Sequence, residues 1–141
     1  LIEINAVPVE ARQARAMTPP GRPFRIAVVE NDAPLLSALA FALEAEGWEV
    51  ATFQDPIEAL EGIGSVDCLL VGDKLPQIDG LTLIARLREQ GVTAPAVLIT
   101  AGLDPRRRRR ADAPEVAIVE KPLVAEELKR RIQAALGEAK P

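Results

Sequence analysis

Short apolar runs that stop abruptly on polar residues set the pattern of this chain. Ile26–Val29, Asp67–Val71 (apolar after its first residue), Ala96–Thr100 and Val116–Val119 are such runs, rich in β-branched residues. An unbroken apolar run leaves no face for water, so each predicts a strand buried on both sides. Trp48–Phe53 alternates loosely and predicts a further strand, second in chain order. Between the runs the apolar period changes to that of a helix. Leu35, Leu36, Leu39, Ala42 and Leu43 share one helix face, and Gly47 closes that helix. Ile57, Leu60 and Ile63 predict the inward face of a short helix. Leu81, Ile84 and Leu87 mark another helix, which ends at Gly91, and residues 125–136 form the last one.

The punctuation agrees with this period. Asp32 can cap a helix whose first turn tolerates Pro34. Asp55 before Pro56 and Asp104 before Pro105 repeat the same cap-and-proline signal. Pro95 stands at a strand entry, where a missing N–H is tolerated. The segment from Gly72 to Gly80, containing Pro76, reads as a loop, and Lys121-Pro122 reads as a turn. Strand and helix thus alternate five times. Right-handed crossovers turn such a chain into a five-stranded parallel sheet, doubly wound, (βα)5, with helices on both faces. No repeat and no second domain is visible.

Residues 1–24 depart from this pattern. Leu1–Val7 alternates weakly, and Thr18–Pro23 is a linker by composition, so an N-terminal extension or linker is expected there. The ordered unit is expected over residues 25–138, with a short tail at 139–141. A start on Leu rather than Met suggests a piece of something longer.

Composition narrows the function. With 141 residues, 48% hydrophobic and 27% charged, the chain can bury one real core. No run approaches the ~18 apolar residues of a membrane span, and no secretory signal opens the chain. A net charge of −4 offers no general attraction to nucleic acid or anionic lipid. There is no histidine, which excludes Ser-His and Cys-His catalysis and His-ligated metals. The single cysteine, Cys68, lies within an apolar run and reads as a core residue. A cytoplasmic signalling or binding module fits these facts better than a hydrolase, and no enzyme activity is expected.

The polar residues that terminate the strands lie at one edge of such a sheet, where open α/β folds place their ligands. They are Glu30-Asn31-Asp32, Asp73, Thr100 and Lys121. Asp32 reads as a cap. The run Arg106, Arg107, Arg108, Arg109, Arg110 spreads around a helix rather than forming one stripe, and acidic neighbours flank it. It therefore reads as a solvated helix, or as a protein partner surface, rather than a nucleic-acid site.

The motifs Val28-Val29-Glu30-Asn31-Asp32, Leu75-Pro76, Asp79-Gly80-Leu81, Ile99-Thr100-Ala101 and Glu120-Lys121-Pro122, in this order and spacing, resemble the receiver domain of bacterial two-component response regulators. The resemblance covers residues 25–138 and implies the flavodoxin-like fold. It also implies phosphoryl transfer from a kinase histidine to an aspartate at the end of the third strand, assisted by Mg²⁺, a hydroxyl and a lysine. Counted back from Pro76, the acceptor position holds Gly72. Glu30 and Asn31 match the two acids, Thr100 the hydroxyl, Lys121 the lysine and Ile118 the usually aromatic switch position. Lys121-Pro122 resembles the family's cis turn.

Gly72 has no nucleophile, and with Asn31 the cation side loses two of its three charges, so metal binding is not expected. Glu30, Asn31, Thr100 and Lys121 are expected to remain as a remnant pocket, with a Lys121–Glu30 ion pair locking it. Two readings stay open. In one the chain is a pseudo-receiver, acting by contact with a histidine kinase, another receiver or an output domain. In the other Asp73 is a replacement acceptor in a rebuilt Mg²⁺ site with Glu30 and Asn31. That rescue requires a bulge, because adjacent strand residues point to opposite faces. The family's partner surface, implied for the fourth helix, fifth strand and fifth helix, would place Arg106–Arg110, Lys129 and Arg130 against a partner or a second copy.

Overall fold

The computed structural model describes residues 18, 21–112 and 116–138. The expectations for residues 1–17, 19–20 and 139–141 lie outside the described residues. Five strands form one parallel sheet: β1 (Arg25–Val29), β2 (Glu49–Phe53), β3 (Cys68–Gly72), β4 (Ala96–Thr100) and β5 (Val116–Glu120). Their order is β2-β1-β3-β4-β5, so β3 is central, and all five of its residues are buried. The helices are α1 (Ala33–Glu44), α2 (Pro56–Gly62), α3 (Gly80–Glu89), α4 (Pro105–Asp112) and α5 (Ala125–Glu138).

Strand alternation divides the core into two layers. Ile26, Val28, Cys68, Leu70, Val97, Ile99 and Val119 point to one face, where α1 and α5 cover them with Leu36, Leu39, Leu43, Leu128 and Ile132. Ala27, Val29, Leu69, Val71, Ala96 and Leu98 point to the other, under α2, α3 and α4. The chain is doubly wound, as its period predicts. Among the described residues no helix is long and apolar enough to cross a membrane.

The expected caps are present: Asp32, Asp55 and Asp104 accept backbone N–H bonds from Leu35, Ile57 and Arg107 at 3.2, 2.7 and 2.8 Å. Asp79 is a further cap that the sequence reading did not assign, accepting the Thr82 N–H at 2.8 Å. Lys121-Pro122 is cis. One expectation fails: Ile57 faces solvent, 36% exposed. Pro56, Ala59 and Ile63 form the buried side of α2 instead. Positions i, i+3 and i+7 share a helix face, and Ile57 lies off it.

Gly80 fixes the loop that follows β3. A Cβ there would collide with the Gly72 carbonyl oxygen and stand 2.8 Å from Leu98 Cδ1. Only a residue without a side chain lets the start of α3 come this close to the sheet. Gly80 N–H also donates to the Asp73 carbonyl at 2.9 Å.

Candidate functional site

Because all strands are parallel, the ends of β1, β3, β4 and β5 meet at one edge. Three of the four buried polar residues among those described gather there: Glu30 (7% exposed), Asp73 (5%) and Thr100 (1%). They divide between the two faces of the sheet.

Glu30 and Gly72 follow the paired residues Val29 and Val71 on adjacent strands. The Glu30 carboxylate lies over Gly72. A Cβ built on Gly72 would collide with Glu30 Oε1 and stand 3.3 Å from its Cδ. Glu30 Oε2 accepts the Asp32 N–H at 2.9 Å, which holds the side chain in this place. Asn31 is exposed.

Asp73 is on the opposite face. The β3–β4 register runs without interruption from Leu69 opposite Ala96 to Gly72 opposite Ile99, and Asp73 N–H extends it to the Ile99 carbonyl at 2.9 Å. No bulge intervenes, so the Asp73 side chain turns towards α4. Its Oδ2 accepts the Thr100 hydroxyl at 2.8 Å and Arg107 Nη1 at 3.1 Å, while Arg107 Nη2 closes on Oδ1. The Thr100 oxygen accepts Gly102 N–H at 3.0 Å. The bond to Asp73 raises the proton affinity of the Arg107 guanidinium above its ordinary value, although burial opposes this. Arg107 Nη2 also lies 3.6 Å from Asp79, which Arg110 approaches at 3.3 Å. Burial opposes ionisation of Asp79, but bonds from Thr82 and Arg110 outweigh it and hold the carboxyl below its ordinary range.

The remnant pocket of four residues does not form as expected. Glu30 and Thr100 are buried on opposite faces, and Asn31 and Lys121 are exposed. The expected Lys121–Glu30 pair is absent, and among the described residues Lys121 forms no ion pair; its backbone N–H bonds the Thr100 carbonyl at 2.8 Å. The cause is topological. Two strands separate β1 from β5, and Glu30 bends into the space beside β3.

A divalent cation of the Mg²⁺ type needs several oxygen ligands around one point. Here Glu30 and Asp73 diverge and Asn31 faces solvent, so these residues do not fit it. Among the described residues no three carboxylate or thiol side chains converge.

The family described as "Response regulator receiver domain" matches residues 26–133. The chain belongs to the response-regulator receiver family. Response regulator MprA of Mycobacterium avium is 33% identical over 121 residues, 84% of this chain and 53% of the relative. Transcriptional regulatory protein TrcR of Mycobacterium tuberculosis is 35% identical over 83 residues, 57% of this chain and 32% of the relative. The chain therefore spans about half or less of the curated relatives it matches. Among solved structures, a two-component response regulator from Clostridium difficile superposes with a TM-score of 0.77 at 23% identity, covering 84% of this chain and 99% of that one. The receiver domain of hybrid histidine kinase CckA does so at 0.66 and 31%, covering 79% and 98%.

On this receiver, α4, β5 and α5 border a groove of about 370 Å³. Arg108, Ile118, Glu120, Val124, Glu127 and Arg131 are among its lining residues. Ile118, which the family resemblance matched to the switch position, is half-buried on the α2–α4 side. Two cations expected on the partner surface are engaged internally. Arg107 turns in to Asp73, and Lys129 pairs with Glu46 at 3.1 Å, because that side of α5 looks towards the end of α1. Arg106, Arg109 and Arg130 are exposed and form no ion pair among the described residues. Arg108 pairs with Glu120 at 3.3 Å, and Arg110 with Asp79.

Sequence reasoning missed the inward turn of Arg107. A signal was available: Ala111 is the buried residue of α4, and Arg107 lies one turn before it on the same side.

Proposed function

We propose that this receiver is a signalling module that takes no phosphoryl group at the end of β3 and works through protein–protein contacts. The observation that carries this reading is the Glu30 carboxylate filling the side-chain space of Gly72. Phosphoryl transfer to a receiver needs an oxygen nucleophile at that strand end, with cationic groups to meet the developing charge. Gly72 supplies no nucleophile, and a carboxylate stands where an incoming anion would have to approach. Asp73, the other candidate acceptor, faces away and is held by Thr100 and Arg107. Glu30, Asn31 and Asp73 form no shared cation site, and no enzyme activity follows from this arrangement.

The partners that suit such a module are a histidine kinase, another receiver or an output domain, the last in keeping with relatives longer than this chain. The surface we assign to them is the groove between α4, β5 and α5, with Arg106, Arg109 and Arg130 around it. A homodimer through that face is one form the contact can take. The autonomous unit is residues 25–138.

Beryllofluoride, a phosphoryl mimic, tests the reading when added with Mg²⁺ to the isotopically labelled protein. The amide resonances of Thr100, Gly102 and Lys121 are expected to stay in place. A saturable shift of all three would show a working acceptor site and overturn the reading.

A further inference from the structure

Helix α4 rests on the domain in an unusual way. Its sequence is Pro-Arg-Arg-Arg-Arg-Arg-Ala-Asp, and Ala111 is its one buried residue. One methyl group cannot supply the apolar area that usually seats a helix. What holds α4 instead is a set of polar contacts to the end of β3 and the start of α3. Arg107 grips Asp73 through two nitrogens, and Arg110 reaches Asp79 and the Thr82 hydroxyl, the latter at 2.9 Å. Asp104 caps the first turn.

The contact through Arg107 differs from the rest in burial. Its side chain is 26% exposed and the Asp73 carboxylate 5%, whereas Arg110 and Asp79 are 46% and 32% exposed. A two-pronged guanidinium–carboxylate pair has fixed geometry, which an ammonium cannot reproduce. If Arg107 is removed, the Asp73 carboxylate is left as an uncompensated buried charge. The same carboxylate accepts a hydrogen bond from the Thr100 hydroxyl, so the positions of α4 and the Thr100 side chain are set by one group.

We propose that Arg107, Asp73 and Thr100 form a latch. It fixes α4 against the sheet and holds the α4–β5–α5 face in one arrangement without a phosphoryl group. Arg107 is a positioning residue: it orders α4 directly and Thr100 through Asp73. The inference rests on the preceding reading in one respect, that no phosphoryl group competes for Thr100. In a chain whose switch is not driven by phosphate, this internal guanidinium defines the state.

Hydrogen exchange read by mass spectrometry on the whole chain tests it, comparing wild type with R107Q, R107K, D73N and R106Q. With the β3 and β4 amides still protected, R107Q and D73N are expected to speed exchange across residues 105–112 on the order of tenfold or more. R107K should do so to a lesser degree despite its retained charge, and R106Q should match wild type. If R107Q or D73N loosens the whole sheet, R107K decides, because it keeps the charge. Wild-type exchange in α4 of R107Q, or of R107K in that case, would overturn the latch. Acceleration in R106Q equal to that in R107Q would do the same, by showing a general charge effect. The two readings fail separately. Covalent phosphorylation of the wild type would sink the preceding function and leave these exchange rates as they are. An α4 indifferent to Arg107 would remove the latch and leave Gly72 without a nucleophile.

Discussion

The carboxylate of Glu30 occupies the space that a side chain on Gly72 would need. The two residues are cross-strand neighbours at the ends of β1 and β3, one step beyond the pair Val29 and Val71. A side chain one methylene longer than aspartate fills the gap left by a residue with none. Under the proposed function, the glutamate at 30 and the glycine at 72 are one compensated arrangement rather than two separate features.

That compensation predicts coupling. Gly72→Asp alone must push Glu30 out, break its bond to Asp32 N–H and set two carboxylates together. A loss of roughly 1–3 kcal/mol is expected from overpacking, with like-charge repulsion in addition. Adding Glu30→Asp to Gly72→Asp should recover part of it, with a coupling energy of about 1–2 kcal/mol. Urea denaturation of the two single variants and the double variant measures this. Additive losses would show that the residues do not share one space.

Gly80→Ala tests the seat of the β3–α3 loop. The new Cβ would meet the Gly72 carbonyl, a backbone atom with little freedom to yield. A loss of roughly 1–3 kcal/mol is expected. A thermal midpoint equal to wild type would mean that the start of α3 moves away without penalty.

Most of this architecture was legible in the sequence, for a physical reason. Strands such as Ala96–Thr100 are buried on both faces, so their apolar runs end where the strands end. Asp32, Asp55 and Asp104 announce helix starts because unpaired N–H groups need them. The helical period was less informative in α2, where two turns leave little to distinguish Ile57 from Ala59. The site was only half legible. That Gly72 lacks a nucleophile and that Asp73 points to the other face both follow from spacing and alternation. Which of five identical arginines turns inward depends on where Asp73 sits in space. The Lys121–Glu30 expectation failed because sequence does not show that Glu30 finds room beside a glycine two strands away from β5.

Acid should weaken the fold through two carboxylates. Burial opposes ionisation of Asp67, yet its bonds from Arg22 and the Arg25 N–H hold the carboxyl below the ordinary value, and Asp79 is held low in the same sense. A group whose folded pKa is depressed adds stability above its unfolded pKa and loses it as pH falls through the folded one. Stability should therefore fall as pH drops below the ordinary carboxylate value of 3.8. In Asp67→Asn and Asp79→Asn the decline should be shallower. Urea midpoints across this range check it; slopes equal to wild type would contradict it.

Cys68 should be inert. Burial pushes its thiol up to about 12, and the side chain is 0% exposed in the α1–α5 layer of the core. At mildly alkaline pH an alkylating reagent should label it only as fast as the domain opens. Rapid labelling of the native protein would contradict the placement of β3 at the centre of the sheet.

The central claim is that the strand end carrying Gly72 takes no phosphoryl group. Intact-protein mass spectrometry after incubation with acetyl phosphate and Mg²⁺ tests it most directly, with a phosphorylatable receiver as the positive control. An unchanged mass is expected for this chain. A retained phosphoryl adduct that disappears in Asp73→Asn would contradict it.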